Sequence, residues 1–222
     1  MISQLPRWVE VGGFCLALIA GSVNAIALLS FNHQGVSHLT GSSSLLSIEL
    51  AIGSYTAVLH LLGILLSFVL GAAISGFVIG NQYLQLGQRY SAALFCESLA
   101  LLLAMYFLNQ ESNLGHYLAS GACGLQNAMT TSFSGAVIRT THLTGLFTDI
   151  GIALGLWLRG QKTDTRRLSL YGILISGFVV GGSISAWVFA RLGFYSMLLP
   201  AGLAALMAFA YVLYIKRILA KH

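Results

Sequence analysis

The chain has 222 residues, of which 57% are hydrophobic and only 8% charged, and its mean hydropathy is +0.83. A soluble domain carries about 25% charged residues, so this composition excludes a water-covered globular domain and points to an integral membrane protein. The net charge of +5 does not indicate nucleic acid, because the basic residues gather at the ends of apolar runs and not on one face.

In chain order, six apolar runs are long enough to cross a bilayer as helices, at about 8–31, 55–80, 90–108, 116–137, 168–190 and 195–215. The first follows Arg7 and imitates a secretory leader. It continues to Phe31 and has a partner in the second half, so it reads as a span. Two shorter runs, about 41–54 and 144–159, each begin at His-Leu-Thr-Gly. At 1.5 Å per residue the first is only about 20 Å long, short of the ~30 Å hydrocarbon core. Alternating strand patterning does not occur, which favours a helical bundle over a barrel. Cys15, Cys96 and Cys123 lie in apolar segments without metal spacing and read as small buried hydrophobes.

Lysine and arginine placement bears on whether the short runs cross. If all eight runs span from a cytoplasmic N-terminus, Arg89, Arg139 and Arg191 fall outside. If the two short runs enter and leave on one side, only Arg191 does. Arg7, Arg89, Arg139, Arg159, Lys162, Arg166, Arg167, Lys216, Arg217 and Lys221 then share the cytoplasmic side. The second arrangement is the expected one, with both termini cytoplasmic.

The chain also repeats itself. Residues 21–41 (GSVNAIALLSFNHQGVSHLTG) and 124–145 (GLQNAMTTSFSGAVIRTTHLTG) share a G-x-x-N-A start and an H-L-T-G finish. Residues 68–80 resemble 178–190, and 90–106 align loosely with 195–211. The expected fold is thus an all-α membrane protein, a single domain over 1–222 built from repeats at about 8–108 and 116–215. Each repeat holds three spans and one re-entrant helix. An odd number of crossings inverts the second copy relative to the first, a recurrent plan for transporters and channels.

Gly124-Leu125-Gln126-Asn127-Ala128 and Arg139-Thr140-Thr141-His142-Leu143-Thr144-Gly145 resemble a motif pair of the YoaK-like family of bacterial inner-membrane proteins, described as a domain of unknown function. The first half departs from that family's pattern. Asn24 stands where aspartate is usual, His38-Leu39 replaces the segment around a methionine, and Ser42 replaces an asparagine. The resemblance implies a six-span protein with an internal duplication in the bacterial cytoplasmic membrane. It implies no substrate.

Several polar residues stand in apolar surroundings. Asn24, Gln126 and Asn127 place amides within spans, where unsatisfied donors and acceptors are costly. They serve either as interhelical bonds or as the lining of a pathway. Thr40 and Thr144 are candidate caps for the helices that follow, and Gly41 and Gly145 permit unusual backbone or close approach. In the re-entrant arrangement both helix starts point to the bilayer centre and attract anions or carbonyl oxygens. His38 and His142 are candidate solute ligands, structural donors or proton carriers. The alternative for both motifs is an interfacial turn before a surface-lying helix.

Three carboxylates lie in apolar helices: Glu49, Glu97 and Asp149. Intramembrane acids default to a functional reading. Glu97 faces Gly202 in the alignment, an asymmetry suited to a proton-coupling site; its rival role is a carboxylate held by Arg89 or Tyr90. Asp149 either joins the coupling or complements its helix start. Arg139 also lacks a counterpart in the other copy. Small residues at Gly71, Ser75, Gly76, Gly80, Gly177, Gly181, Gly182 and Ser185 read first as packing between the repeats and second as a homodimer face.

No P-loop, H-E-x-x-H or nucleophile elbow is present, so neither enzyme activity, a cofactor nor a metal is expected. The predicted activity is secondary transport or channel-mediated passage of a small polar or anionic solute. Its site would be Asn24, His38, Thr40, Gly41, Gln126, Asn127, His142, Thr144 and Gly145, with Glu97 and Asp149 in proton coupling. Membrane lipid is the other expected partner. The main alternative is a non-transporting membrane scaffold or assembly partner, and a lipid-acting enzyme is third.

Overall fold

The computed structural model describes residues 7–80, 88–134 and 139–219. Lys221 and the last residues of the fifth predicted run, 135–137, lie outside them. Within these bounds the chain is helical: α1 (Arg7–Leu29), α2 (Leu39–Ile52), α3 (Tyr55–Ile79), α4 (Gln88–Asn109), α5 (Leu114–Ser134), α6 (Leu143–Leu158), α7 (Thr165–Leu192) and α8 (Leu198–Leu219). A 3-10 turn, Gly193–Met197, joins the last two. Local chemistry sets the bounds. The Asp164 side chain accepts from the Arg166 and Arg167 backbone amides at the start of α7. Gly53, with φ +78°, closes α2 in the left-handed region.

Four segments are long and apolar enough to cross a membrane: Trp8–Leu29, Tyr55–Ile79, Arg89–Asn109 and Thr165–Arg217, the last holding both α7 and α8. The 21-residue α5 has the length but carries His116, Ser120, Gln126, Asn127 and two threonines. Those residues are buried or half-buried inside the bundle.

The main packing pairs are α1 with α7, α3 with α5, α4 with α8 and α4 with α5. Each joins the first half of the chain to the second, so neither half buries its apolar surface alone. Gly21 lies against the Phe178 backbone, Gly124 against Phe68, Gly71 against Gly121 and Gly181 against Leu18, each close enough that a methyl would overlap a carbonyl oxygen. In the alignment of the two halves, the first two contacts correspond with partners exchanged, and so do the last two. Small residues are required here because the backbones touch.

One end of the bundle carries both helix termini of the described chain. There Trp8 meets Phe133 and Tyr214, Tyr90 meets Tyr211, and Arg166 pairs with Glu10 at 3.4 Å. Arg89, Arg159, Lys162, Arg167, Lys216 and Arg217 flank helix ends on this side, which we call proximal. The distal end is tied by Ser30 to His116 at 2.6 Å and by Asn32 to His60 at 3.1 Å. Arg191, near the end of α7, is distal and stacks on Trp187.

The short helices occupy opposite ends. The start of α2 is held to Asn24, in the body of α1, and its end leads directly into the distal start of α3. Leu146, in the first turn of α6, packs with Ala17, Leu170 and Leu174. The later part of α6 lies beside Lys162 and Asp164 at the proximal surface. Each short helix therefore starts against the side of a long helix and runs toward the end from which its chain arrived.

Candidate functional site

The two His-Leu-Thr-Gly turns fold differently from the expected capping scheme. His38 and His142, and not the threonines, occupy the N-cap positions, and neither side chain caps its helix. Thr40 and Thr144 are the second residues of their helices, exposed on the protein surface. Gly41 and Gly145 are not among the positive-φ residues. Their contribution is close approach alone: the preceding histidine ring lies over each, 3.5 Å from a methyl placed at Gly41 and nearer still at Gly145.

The first turn is anchored by Asn24. Its Oδ1 accepts from the Ser37 backbone amide at 3.3 Å and lies 3.1 Å from His38 Nδ1. Since the amide oxygen has only lone pairs to offer, His38 presents Nδ1–H to it. In the second turn the corresponding Asn127 does not reach His142. Its Oδ1 is buried without a partner, and the neighbouring Gln126 takes over the anchoring. Gln126 Nε2 donates to the Leu16 carbonyl at 2.7 Å and to Thr140 Oγ1 at 3.2 Å. From Leu16 to Asn24 is about 12 Å along α1, so the two turns are not in contact.

A ladder on α5 bridges that gap. Ser120, Cys123 and Gln126 are spaced three residues apart, on one face, and all are buried. Ser120 Oγ lies 2.8 Å from the Ile64 carbonyl and 3.3 Å from that of Val36, just before the first turn. Gln126 holds the second turn. Between them Cys123 neighbours Glu97 of α4, and the adjacent Ser98 donates to Ala201 of α8 at 2.8 Å. Glu97 is 1% exposed, and its Oε2 has no hydrogen-bond partner; neither Arg89 nor Tyr90 holds it there. Gln126 Oε1 is likewise unpartnered. Ser120 was not foreseen, although its position six before Gln126 on a helix carried the signal.

One turn proximal to Glu97 and Gln126 is a cavity of about 110 Å³ among α1, α4, α5 and α8, lined by Leu16, Leu94, Met129, Phe133, Met207 and others. Its walls expose only apolar atoms. Cys15 is half-buried and Cys96 exposed, so only Cys123 fits the expected buried role. Among the described residues no group of three His, Cys, Asp or Glu side chains is placed to hold a metal.

Asp149, expected one turn into the second short helix, is the seventh residue of α6, nearly two turns in. It accepts from Tyr171 Oη at 2.7 Å and Arg167 Nη2 at 3.3 Å, tying α6 to α7. Apart from Leu146, α6 has no fully buried residue, so this tie and one apolar anchor hold it. Asp149→Ala is expected to increase maleimide labelling of Leu146→Cys about 2–5-fold in a background lacking the native cysteines. That range fits a part-exposed pair worth about 0.5–1 kcal/mol. Unchanged labelling would show that α6 is held by apolar contact alone.

No curated protein and no solved structure matches the chain. The family described as "Protein of unknown function (DUF1275)" matches residues 12–210, a range that takes in both turns, the α5 ladder and Glu97. That span covers most of the chain, which therefore belongs to the DUF1275 family.

Proposed function

We propose that the protein is a secondary transporter or channel for a small polar or anionic solute, built from two inverted repeats of three spans and one re-entrant helix. The observation that carries this reading is the α5 ladder, which links the two turns past an unpartnered buried carboxyl. Buried polar atoms are ordinarily satisfied. Here Glu97 Oε2, Gln126 Oε1 and Asn127 Oδ1 are left without partners along one stretch of the interior, where a solute, water or a proton would supply them. Glu97 carries the coupling proton, and the exposed hydroxyls of Thr40 and Thr144 meet solute at the outer faces of the turns. Asp149 holds α6 in position and takes no proton in this scheme.

By the positive-inside tendency, the proximal end faces the cytoplasm and the membrane is the bacterial inner membrane. Six helices cross it: α1, α3, α4, α5, α7 and α8. The reading includes no enzyme activity, cofactor or nucleic acid. Contacts of Gly71 and Gly181 inside the chain use these small residues within one protomer, and a homodimer would need another face.

The test is uptake by proteoliposomes of a panel of small anions and neutral polar solutes, under an imposed proton gradient and without one. Wild-type protein is expected to move at least one of them, and Gln126→Leu to reduce that flux tenfold or more. Absence of flux for the whole panel, or equal flux in the variant, would sink the reading. The second reading is a non-transporting scaffold, favoured by the purely apolar walls of the proximal cavity.

A further inference from the structure

The distal end holds a second cluster of titratable groups that the pathway above does not use. His116, the third residue of α5, is 0% exposed. Its Nε2 lies 2.6 Å from Ser30 Oγ, while that hydroxyl is also 2.6 Å from the Ala27 carbonyl. A carbonyl only accepts, so the Ser30 proton points to Ala27 and its oxygen accepts from His116. His116 is therefore the Nε2–H tautomer, and its Nδ1 is a bare lone pair, buried and without a partner.

His60 on α3 has the opposite arrangement. Asn32 Nδ2 is an amide donor, shared between Asn113 Oδ1 at 2.7 Å and His60 Nε2 at 3.1 Å. His60 Nε2 must then accept, which leaves Nδ1–H for Tyr117 Oη at 3.2 Å. The two rings meet edge to face with centroids 5.4 Å apart. An imidazole with both ring nitrogens partnered thus stands against one with a vacant buried acceptor.

We propose that this pair is a proton-binding site at the distal end, with His116 Nδ1 the acceptor, and that it loads Glu97 along the buried face of α5. The inference rests on the transport reading, since it names the coupling ion and the end from which it is taken up. His116, Ser120 and Cys123 follow each other at spacings of four and three on that face. The step from His116 to Cys123 is about 10 Å, and Glu97 lies across from Cys123. A proton arriving from the distal side adds to the Nδ1 lone pair and makes an imidazolium. Loss of that proton inward regenerates the neutral ring and leaves Glu97 as the neutral acid. Water that enters transiently is the co-reactant that spans the gap.

The surroundings favour reversible loading. The titratable groups around His116 are His60 on α3 and Tyr117 on α5. Phe31 packs on the His116 ring and Phe194 on Phe31, and α4 contributes Leu108 beside Gly115. At the same end, His33 is turned to the Leu28 carbonyl, Glu111 is exposed in the loop, and Arg191 stacks on Trp187. The carboxyl that the buried face of α5 reaches from His116 is Glu97 of α4, across from Cys123.

The experiment is a pH titration of the full chain in nanodiscs with ring-¹⁵N histidine, read by NMR and requiring no solute. At neutral pH the expected result is Nε2–H for His116 and Nδ1–H for His60. His116 Nδ1 is expected to take up a proton as the pH is lowered, and Glu97→Gln to shift that midpoint by about one unit or more. His60→Gln provides the assignment and should move the same midpoint. A His116 that carries its proton on Nδ1, that stays neutral throughout the titration, or whose midpoint ignores Glu97→Gln overturns the inference. Coupled titration with no flux in proteoliposomes upholds the proton site and sinks the transport reading alone.

Discussion

Gly21→Ala and Gly124→Ala are each expected to destabilise the protein by about 3 kcal/mol or more, at the upper end of what overpacking costs. The added methyl would overlap the Phe178 carbonyl in one case and the Phe68 carbonyl in the other. A backbone carbonyl in a helix cannot rotate away, so the whole helix must shift and the contacts of Gly181 or Gly71 on the same interfaces are lost with it. Gly76→Ala and Gly151→Ala serve as controls. Both are helical, with no neighbouring atom within 4 Å, and alanine there should be neutral or gain up to about 1 kcal/mol. Unfolding midpoints in detergent, followed by size-exclusion chromatography after heating, measure the difference. Similar midpoints for Gly21→Ala and Gly76→Ala would show that α1 and α7 are not in backbone contact. A large loss at Gly21 with none at Gly124 would break the exchanged pairing of the two halves.

The helices were legible because apolar run length and glycine punctuation speak directly about spans. Each observed helix lies within a few residues of its predicted run, down to the two short helices that open within His-Leu-Thr-Gly. The anchoring of the turns was only half legible. Asn24 was singled out and does hold the first turn, but the second is held by Gln126 and not by the aligned Asn127. One residue of helical rotation changes which amide faces the turn, and a motif alignment does not contain that rotation. The threonine caps failed for a similar reason. Each helix begins two residues earlier than a threonine cap requires, where the glycine leaves room for the histidine ring. His60 joins Asn32 and Tyr117, from two other parts of the chain. His116 escaped notice because its partner Ser30 lies 86 residues away, a distance that no local pattern spans.

Glu97 separates the two readings of the protein most sharply, because stability and function should move in opposite directions. A buried carboxyl with an unpartnered oxygen carries an uncompensated desolvation cost of about 1–3 kcal/mol. Leucine at this position would fill similar space among Cys123, Leu94 and Leu101 without that cost. Glu97→Leu is therefore expected to raise stability by about 1–3 kcal/mol while abolishing proton-driven accumulation of solute in proteoliposomes. Glu97→Gln keeps the hydrogen-bonding capacity and loses the titration, so it should leave stability near wild type and still uncouple transport. Downhill flux separates the roles further: if Glu97 carries only the proton, exchange without a gradient survives in Glu97→Gln. A scaffold predicts another pattern, with Glu97→Leu more stable and every other measured property unchanged. If both variants lose stability instead, the carboxyl is a structural member of the interior. The α5 ladder would then hold the bundle together without conducting anything through it.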